Sequence, residues 1–103
     1  TLPQGIPKIN KSAFENCINL EKINIDDSIE CIEENAFKNC NQFVLKSFPM
    51  NLIKIGINSF SNCDGLNEIV FQKNLLLIDQ CAFENCSNIE SVTIYSENYE
   101  ISR

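Results

Sequence analysis

The sequence predicts an α/β repeat solenoid: a coil that advances once every 23 residues, with a parallel β-sheet along one face and short helical or 3₁₀ turns along the other. Three observations carry this expectation. The dipeptide Asn-Cys returns without slippage at Asn16-Cys17, Asn39-Cys40, Asn62-Cys63 and Asn85-Cys86. Phe14, Phe37, Phe60 and Phe83 keep the same phase, preceded by Ala13, Ala36, Ser59 and Ala82, while Ile9, Ile32, Ile55, Ile78 and Ile101 keep step upstream. Downstream, Leu20, Phe43, Leu66 and Ile89 align, followed by Ile25, Phe48, Phe71 and Ile94.

Each part of the unit has its own periodicity. In Leu20-x-x-Ile23-x-Ile25 the last apolar residues alternate and β-branched side chains are frequent. Lys22, Asn24 and Asp26 point the other way, as a half-buried strand requires. Ser12-Ala13-Phe14-Glu15 is too short for more than a helical or 3₁₀ turn. The Asn that follows suits the end of such a turn, because it tolerates the left-handed conformation, after which Cys drops inward.

A unit of 23 residues cannot bury its apolar face alone, so units stack into ladders of Ile, Phe, Cys and Leu. The expected organisation is one array: a partial coil 1–8, repeats 9–31, 32–54, 55–77 and 78–100, and a partial coil 101–103. Leu2 and Ile6 fit the tail of the first partial coil. Neither end carries a polar cap, and open strand edges with apolar coil faces favour end-to-end self-association. The opening Thr1-Leu2-Pro3 lacks an initiator Met and a signal-peptide profile, so the chain reads as a piece of something longer.

Composition narrows the function classes. Within 103 residues, 14 acidic against 8 basic side chains leave a net charge of −6, which argues against nucleic acid or an anionic membrane as partner. The longest apolar run, Leu75-Leu76-Leu77-Ile78, is far short of the roughly 20 residues a spanning helix needs, so no membrane insertion is expected of this segment. There is no His, which removes the commonest general base and a frequent metal ligand.

Six cysteines invite metal or disulfide readings, and their phase decides against most of these, leaving bridges between neighbouring rungs as the weaker alternative. Cys17, Cys40, Cys63 and Cys86 are repeat-phase residues that pack as small hydrophobes. Adjacent rungs are near enough for disulfides, but parallel Cβ vectors make the geometry poor. Zinc or an iron–sulfur cluster needs grouped ligands such as Cys-x-x-Cys, which the chain lacks. Cys31 and Cys81 lie off the ladder, two coils apart and in different phases; both are expected to be free thiols, Cys81 the more exposed. No base stands beside a nucleophile. Asp26-Asp27 and Glu33-Glu34 read as solvated faces, and Asp26, Asp27 and Glu68 lack the spacing of a calcium loop. No catalytic residue, metal ligand or cofactor site is assigned. Of two sequons, Asn10-Lys11-Ser12 could accept a glycan in a secreted protein, whereas Asn85-Cys86-Ser87 belongs to the turn ladder.

The fourfold Ala/Ser-Phe-x-Asn-Cys motif, joined at fixed period to Leu-x-x-Ile-x-Ile strands, resembles the leucine-rich repeats of the BspA type, also described as the Treponema pallidum kind. The resemblance covers essentially the whole chain and implies a right-handed leucine-rich-repeat coil. The Pro that often follows the strand in that family stands only at Pro3 and Pro49. Ser28, Asn51 and Asn74 occupy a row where the general pattern favours Asn, and Glu97 breaks it.

In such a solenoid the outward strand positions form one continuous face, the expected protein-binding surface. By phase it comprises Lys22, Asn24 and Asp26; Leu45, Ser47 and Pro49; Glu68, Val70 and Gln72; Ser91, Thr93 and Tyr95. Lys46 occupies the inward phase of Ile23, Ile69 and Val92. A buried, unpaired ammonium would cost several kcal/mol, so either Lys46 snorkels to an edge or, the favoured expectation, a local bulge turns Leu45 inward and Lys46 out. The resemblance implies a non-enzymatic interaction module, engaged in adhesion at the cell surface. The alternative is a cytoplasmic scaffold or regulatory subunit binding a cytosolic enzyme, towards which the free thiols lean.

Overall fold

The computed structural model describes residues 7–102; Leu2, Pro3 and Ile6, placed above in the first partial coil, lie outside the described residues. Seven short strands follow in order: β1 (Lys8–Ile9), β2 (Cys31–Ile32), β3 (Lys54–Ile55), β4 (Glu68–Phe71), β5 (Leu77–Ile78), β6 (Ser91–Ile94) and β7 (Glu100–Ile101). All pair in parallel, forming a five-stranded sheet β1-β2-β3-β5-β7 and a two-stranded sheet β4-β6. Every register step is one repeat: Lys8 faces Cys31, Cys31 faces Lys54, Lys54 faces Leu77, Leu77 faces Glu100, and Glu68 faces Ser91. The chain is a parallel β-solenoid of about four turns.

The two sheets correct the sequence expectation in opposite directions. The larger sheet lies where the sequence shows no strand signature, two residues per coil ending in the repeated Ile. The smaller sheet occupies the expected strand phase but is regular only in β4 and β6, with one further bridge between Ser47 and Val70. In the first coil residues 20–25 form no strand, because their partner is distorted. The backbone bends at Lys46, and only Val44 N–H reaches across, to the Glu21 carbonyl at 2.9 Å. Ser47 still pairs one repeat away from Val70, so no residue has been inserted; the distortion is a bend rather than a bulge.

The helical turns expected on the opposite face are absent: the described residues contain no α- or 3₁₀-helix. Two residues per coil have positive φ, Ser12 and Asn16, Asn35 and Asn39, Asn58 and Asn62, Cys81 and Asn85, all between 57° and 65°. A right-handed helix cannot run through them. Instead Ala13 N–H donates to the Asn10 carbonyl and Cys17 N–H to that of Phe14, both at 3.1 Å, which places each positive-φ residue third in a β-turn, the position type II turns reserve for it.

The intervening donors leave the coil. Ser12, Phe14 and Asn16 N–H reach the Glu34, Ala36 and Lys38 carbonyls at 3.0, 2.8 and 2.8 Å. Asn35, Phe37 and Asn39 repeat the pattern to Ile57, Ser59 and Ser61, and Asn58, Phe60 and Asn62 to Gln80, Ala82 and Glu84. Backbone donors on the turn face thus alternate between closing their own turn and tying their coil to the next. The carboxamides add a second tie: Asn39 Nδ2 donates to Asn16 Oδ1 and Asn62 Nδ2 to Asn39 Oδ1, both at 2.7 Å.

Between the faces the apolar residues stack by phase. The rings of Phe14, Phe37, Phe60 and Phe83 lie 5.2, 5.0 and 5.4 Å apart with interplanar angles of 12° or less, close to the coil spacing of about 4.8 Å. Burial follows coil number. Ile32, Phe37, Cys40 and Phe43 in the second coil are fully buried, whereas their first-coil counterparts Ile9, Phe14, Cys17 and Leu20 are half-buried for want of a neighbour on one side. Spacing is tight enough that a Cβ on Gly65 would sit 2.5 Å from the Phe43 carbonyl oxygen.

Ser59 replaces the repeat alanine in the third coil, and its hydroxyl is buried without a hydrogen-bond partner. Such a group costs roughly 1–3 kcal/mol. Ser59→Ala is therefore expected to raise stability by about 1 kcal/mol in urea denaturation, with no change in the slope of the transition; a destabilised variant would mean that the hydroxyl is satisfied in solution.

Candidate functional site

The proposed binding surface is the outward side of β4 and β6 with the matching positions of the earlier coils. Along β4 burial alternates, Ile69 and Phe71 buried, Glu68 exposed and Val70 half-buried, as a strand over a core requires. Ser47, Ser91, Thr93 and Tyr95 are exposed and Gln72 is half-buried. These residues share one face, tied laterally by the bridge from Ser47 to Val70 and by Gln72 Nε2 donating to Ser47 Oγ at 3.0 Å. Lys22, Asn24 and Asp26 are exposed on the first coil, outside any strand. Asp26 Oδ1 accepts the Ser28 N–H at 2.8 Å, and this bond, reinforced by the Ser28 side chain, holds its carboxyl below the usual range.

Two members of the predicted row turn away. Pro49 is buried, and Leu45 is half-buried against the core. Lys46 points outward, and its Nζ lies 3.3 Å from Glu68 Oε1. Both groups are well exposed, so the pair is worth at most about 1 kcal/mol. The bend is set by the larger cost of burying the ammonium, several kcal/mol by the usual scale. It also brings Val44, 48% exposed, beside Leu45 in a shallow depression of about 270 Å³ that is bordered by Lys46, Asn67 and Glu68. Val44 stands in the phase of Glu21, Asn67 and Glu90, all exposed, so its phase did offer a signal that the strand alternation alone does not carry.

With this geometry in hand, the family comparison is decisive: the model of the BspA type leucine rich repeat region matches residues 1–103, in six copies. The chain belongs to the BspA-type leucine-rich repeat family. Repeats of this class generally mediate protein–protein interaction and are generally non-enzymatic, and BspA-type members are often surface-associated. No curated protein and no solved structure matches the chain.

The cysteines of these BspA-type coils have a structural task. Cys40 Sγ donates to the Phe14 carbonyl at 3.0 Å, Cys63 Sγ to Phe37 at 3.1 Å and Cys86 Sγ to Phe60 at 3.0 Å. Each thiol thereby ties its coil to the preceding one through the carbonyl that already closes the Phe-Asn-Cys turn. Burial pushes the Cys63 thiol up to about 12 and raises Cys40 and Cys86 in the same direction. Cys31, whose Sγ lies 3.1 Å from Glu33 Oε2, is pushed up to about 11 by burial and by that carboxylate, although its strand neighbours Lys8 and Lys54 act the other way. Protonated thiols of this kind are poor nucleophiles and poor metal ligands. Among the described residues no three Cys, Asp or Glu side chains converge on a metal-sized space. Cys81 is exposed at a positive-φ position where the other coils carry Ser or Asn. Both sequon asparagines, Asn10 and Asn85, are exposed, Asn85 with a φ of 60°.

A larger concavity adjoins the predicted face and shares only Tyr95 with it: a groove of about 590 Å³ at the corner between the sheets. The strand pattern does not reveal it. Its traces in the sequence are two adjacent breaks in the fourth coil, Glu97 in the row of Asn51 and Asn74, and Asn98 in the row of Leu52 and Leu75.

Two outcomes follow for the thiols. In the native state a maleimide is expected to label Cys81 well before the other five cysteines, read by peptide mass spectrometry; early labelling of Cys63 would show that the ladder opens. A folded-state pKa of about 12 for Cys63, against an ordinary 9.0, means that the native state holds its proton longer than the unfolded state does. Stability is accordingly unaffected by this group below pH 9 and falls as pH rises from 9 towards about 12; urea midpoints of wild type and Cys63→Ala across that window measure the difference in slope.

Proposed function

We propose that the chain is a protein-interaction module that binds a protein partner through the outward face of β4, β6 and the matching positions of earlier coils, in adhesion at the cell surface. One observation carries the reading. Inward positions repeat Ile, Phe, Cys and Leu, whereas outward positions change chemistry from coil to coil: Lys22 and Asn24, Ser47, Glu68 and Val70, Ser91 and Thr93. The core needs the repetition; the variation serves no packing purpose and gives the face a distinct pattern of charge and apolar contact. The Val44 depression beside the Lys46–Glu68 pair supplies an apolar spot rimmed by polar groups. Exposure of Val92 and Ile101, 50% and 53%, where Ile69 and Ile78 are buried, supports end-to-end association as a secondary contact.

A second reading, an intracellular scaffold or regulatory subunit that holds a cytosolic enzyme on the same face, is favoured by the thiols. A ladder of hydrogen-bonded Cys side chains suits a reducing compartment.

Both readings predict the same mutational outcome. Immobilised wild type and the variant Glu68→Lys/Val70→Asp/Thr93→Arg, matched for thermal unfolding, are to be challenged with purified matrix proteins and with a cytosolic extract. The variant is expected to lose its specific partner by about tenfold or more in affinity. The source of the partner then decides between surface and interior, and an identical bound set for both proteins would overturn the face assignment.

A further inference from the structure

The corner groove has a cause in the sequence. Its phase carries an apolar corner residue in the first three coils, Ile29, Leu52 and Leu75, the last two buried. In the fourth coil the same position is Asn98, which is exposed, and Ser96 turns inward instead. Ser96 Oγ donates to the Leu75 carbonyl at 2.6 Å and accepts the Asn98 N–H at 3.4 Å. The segment 95–98 consequently stands as a wall beside the corners of the second and third coils, whose Asn51, Ile53, Lys73, Asn74 and Leu76 complete the groove.

Its lining combines exposed apolar side chains with charged and amide groups. Leu76 and Tyr95 are 53% and 62% exposed, a large apolar exposure for neighbouring groups on a folded domain. Around them stand charges without partners. Lys46 pairs with Glu68 and Lys11 with Glu34, but Glu30, Lys73 and Glu97 form no ion pair or side-chain hydrogen bond among the described residues. The side-chain carboxamides of Asn51 and Asn98 are equally uncommitted. Convergent apolar contacts with a few free polar groups are the usual composition of a recognition site.

We propose that this groove binds an extended peptide segment of a partner protein, with a basic residue at each end of a five-residue stretch and an apolar side chain at its centre. Glu30 belongs to the first coil and Glu97 to the fourth, so three coil steps lie between them along the solenoid axis, about 14 Å at roughly 4.8 Å per step. Residues one and five of an extended chain point the same way and lie about 13 Å apart at roughly 3.3 Å per residue. Basic side chains at those two places meet the two carboxylates, and an Arg beside Tyr95 gains a cation–π contact. The third residue points the same way and lies against Leu76, while the carboxamides of Asn51 and Asn98 are free to hydrogen-bond peptide groups. The chain's net charge of −6 favours the same basic partner at long range.

The inference rests on the reading of the chain as a protein-binding module but uses a different surface, so each can fail alone. Fluorescence anisotropy of the 103-residue chain with fluorescein-labelled Gly-Arg-Ala-Leu-Ala-Arg-Gly, and with the same peptide carrying Glu for Arg, tests it. The basic peptide is expected to bind, more weakly as salt is raised, and the acidic one not to bind. Glu30→Gln/Glu97→Gln and Leu76→Ser are each expected to weaken binding by about tenfold, read against circular dichroism as a check on folding. The charge-preserving strand-face variant Val70→Thr/Ser91→Ala should leave peptide affinity within about twofold of wild type. Equal binding of both peptides, no binding of either, or indifference to the Glu30/Glu97 substitution would overturn the proposal.

Discussion

The solenoid depends on two left-handed residues in each turn, four positions apart. A helical turn would spend its N–H groups on i→i−4 bonds within the coil and leave none to join coils. Positive φ at Asn16 and its equivalents, and at Ser12 and its equivalents, closes tight turns instead and frees every second N–H to point along the solenoid axis. For most L-residues this conformation costs about 1–2 kcal/mol, and Asn bears it best because its short amide can hydrogen-bond locally. Here that amide bonds along the axis as well, from Asn62 to Asn39 to Asn16. The residue that permits the turn also helps to stack it.

Once coils are held at a fixed step, the core follows. Equivalent Phe rings must stack face to face with a slight offset, equivalent Ile residues must line the short sheet, and a thiol must lie over the carbonyl of the preceding coil's Phe. Cys suits that last place because it is small and apolar and still carries a weak donor. The same burial that makes it useful there raises its pKa and removes its chemistry. Absence of His, presence of six Cys and membership of a generally non-enzymatic family are therefore mutually consistent statements about a packing scaffold.

The surface takes its individual character where the repeat is broken. Lys46 could not take the inward place of Ile69, and the bend that removes it turns Leu45 towards the core and leaves the first coil outside the smaller sheet. Asn98 could not take the place of Leu75, and Ser96, folded in instead, lifts a wall beside Leu76. In each case a single polar residue in an apolar row displaces its neighbours, because desolvation costs more than local strand pairing returns. Departures that weaken the array as a scaffold are what distinguish its surface from that of a uniform solenoid.

The sequence by itself determined the period, the stacking, the membership of Cys17, Cys40, Cys63 and Cys86 in a core ladder, and the left-handed role of the Asn before each of them. It also anticipated that Lys46 would turn out and Leu45 in, since the cost of a buried ammonium can be reckoned without coordinates. These features repeat or are local, so residue chemistry at one position is confirmed by the same chemistry 23 residues away. The tertiary structure decided the rest. Whether Ser12 to Glu15 would form a helical turn or two β-turns depended on where their N–H groups could find acceptors, and those acceptors lie in the next coil. The five-stranded sheet has only two residues per strand, too few for alternation to register, and exists because neighbouring coils present matching backbone. The groove required knowing that Ser96, not Asn98, fills the fourth corner, a choice made by the Leu75 carbonyl across the coil boundary.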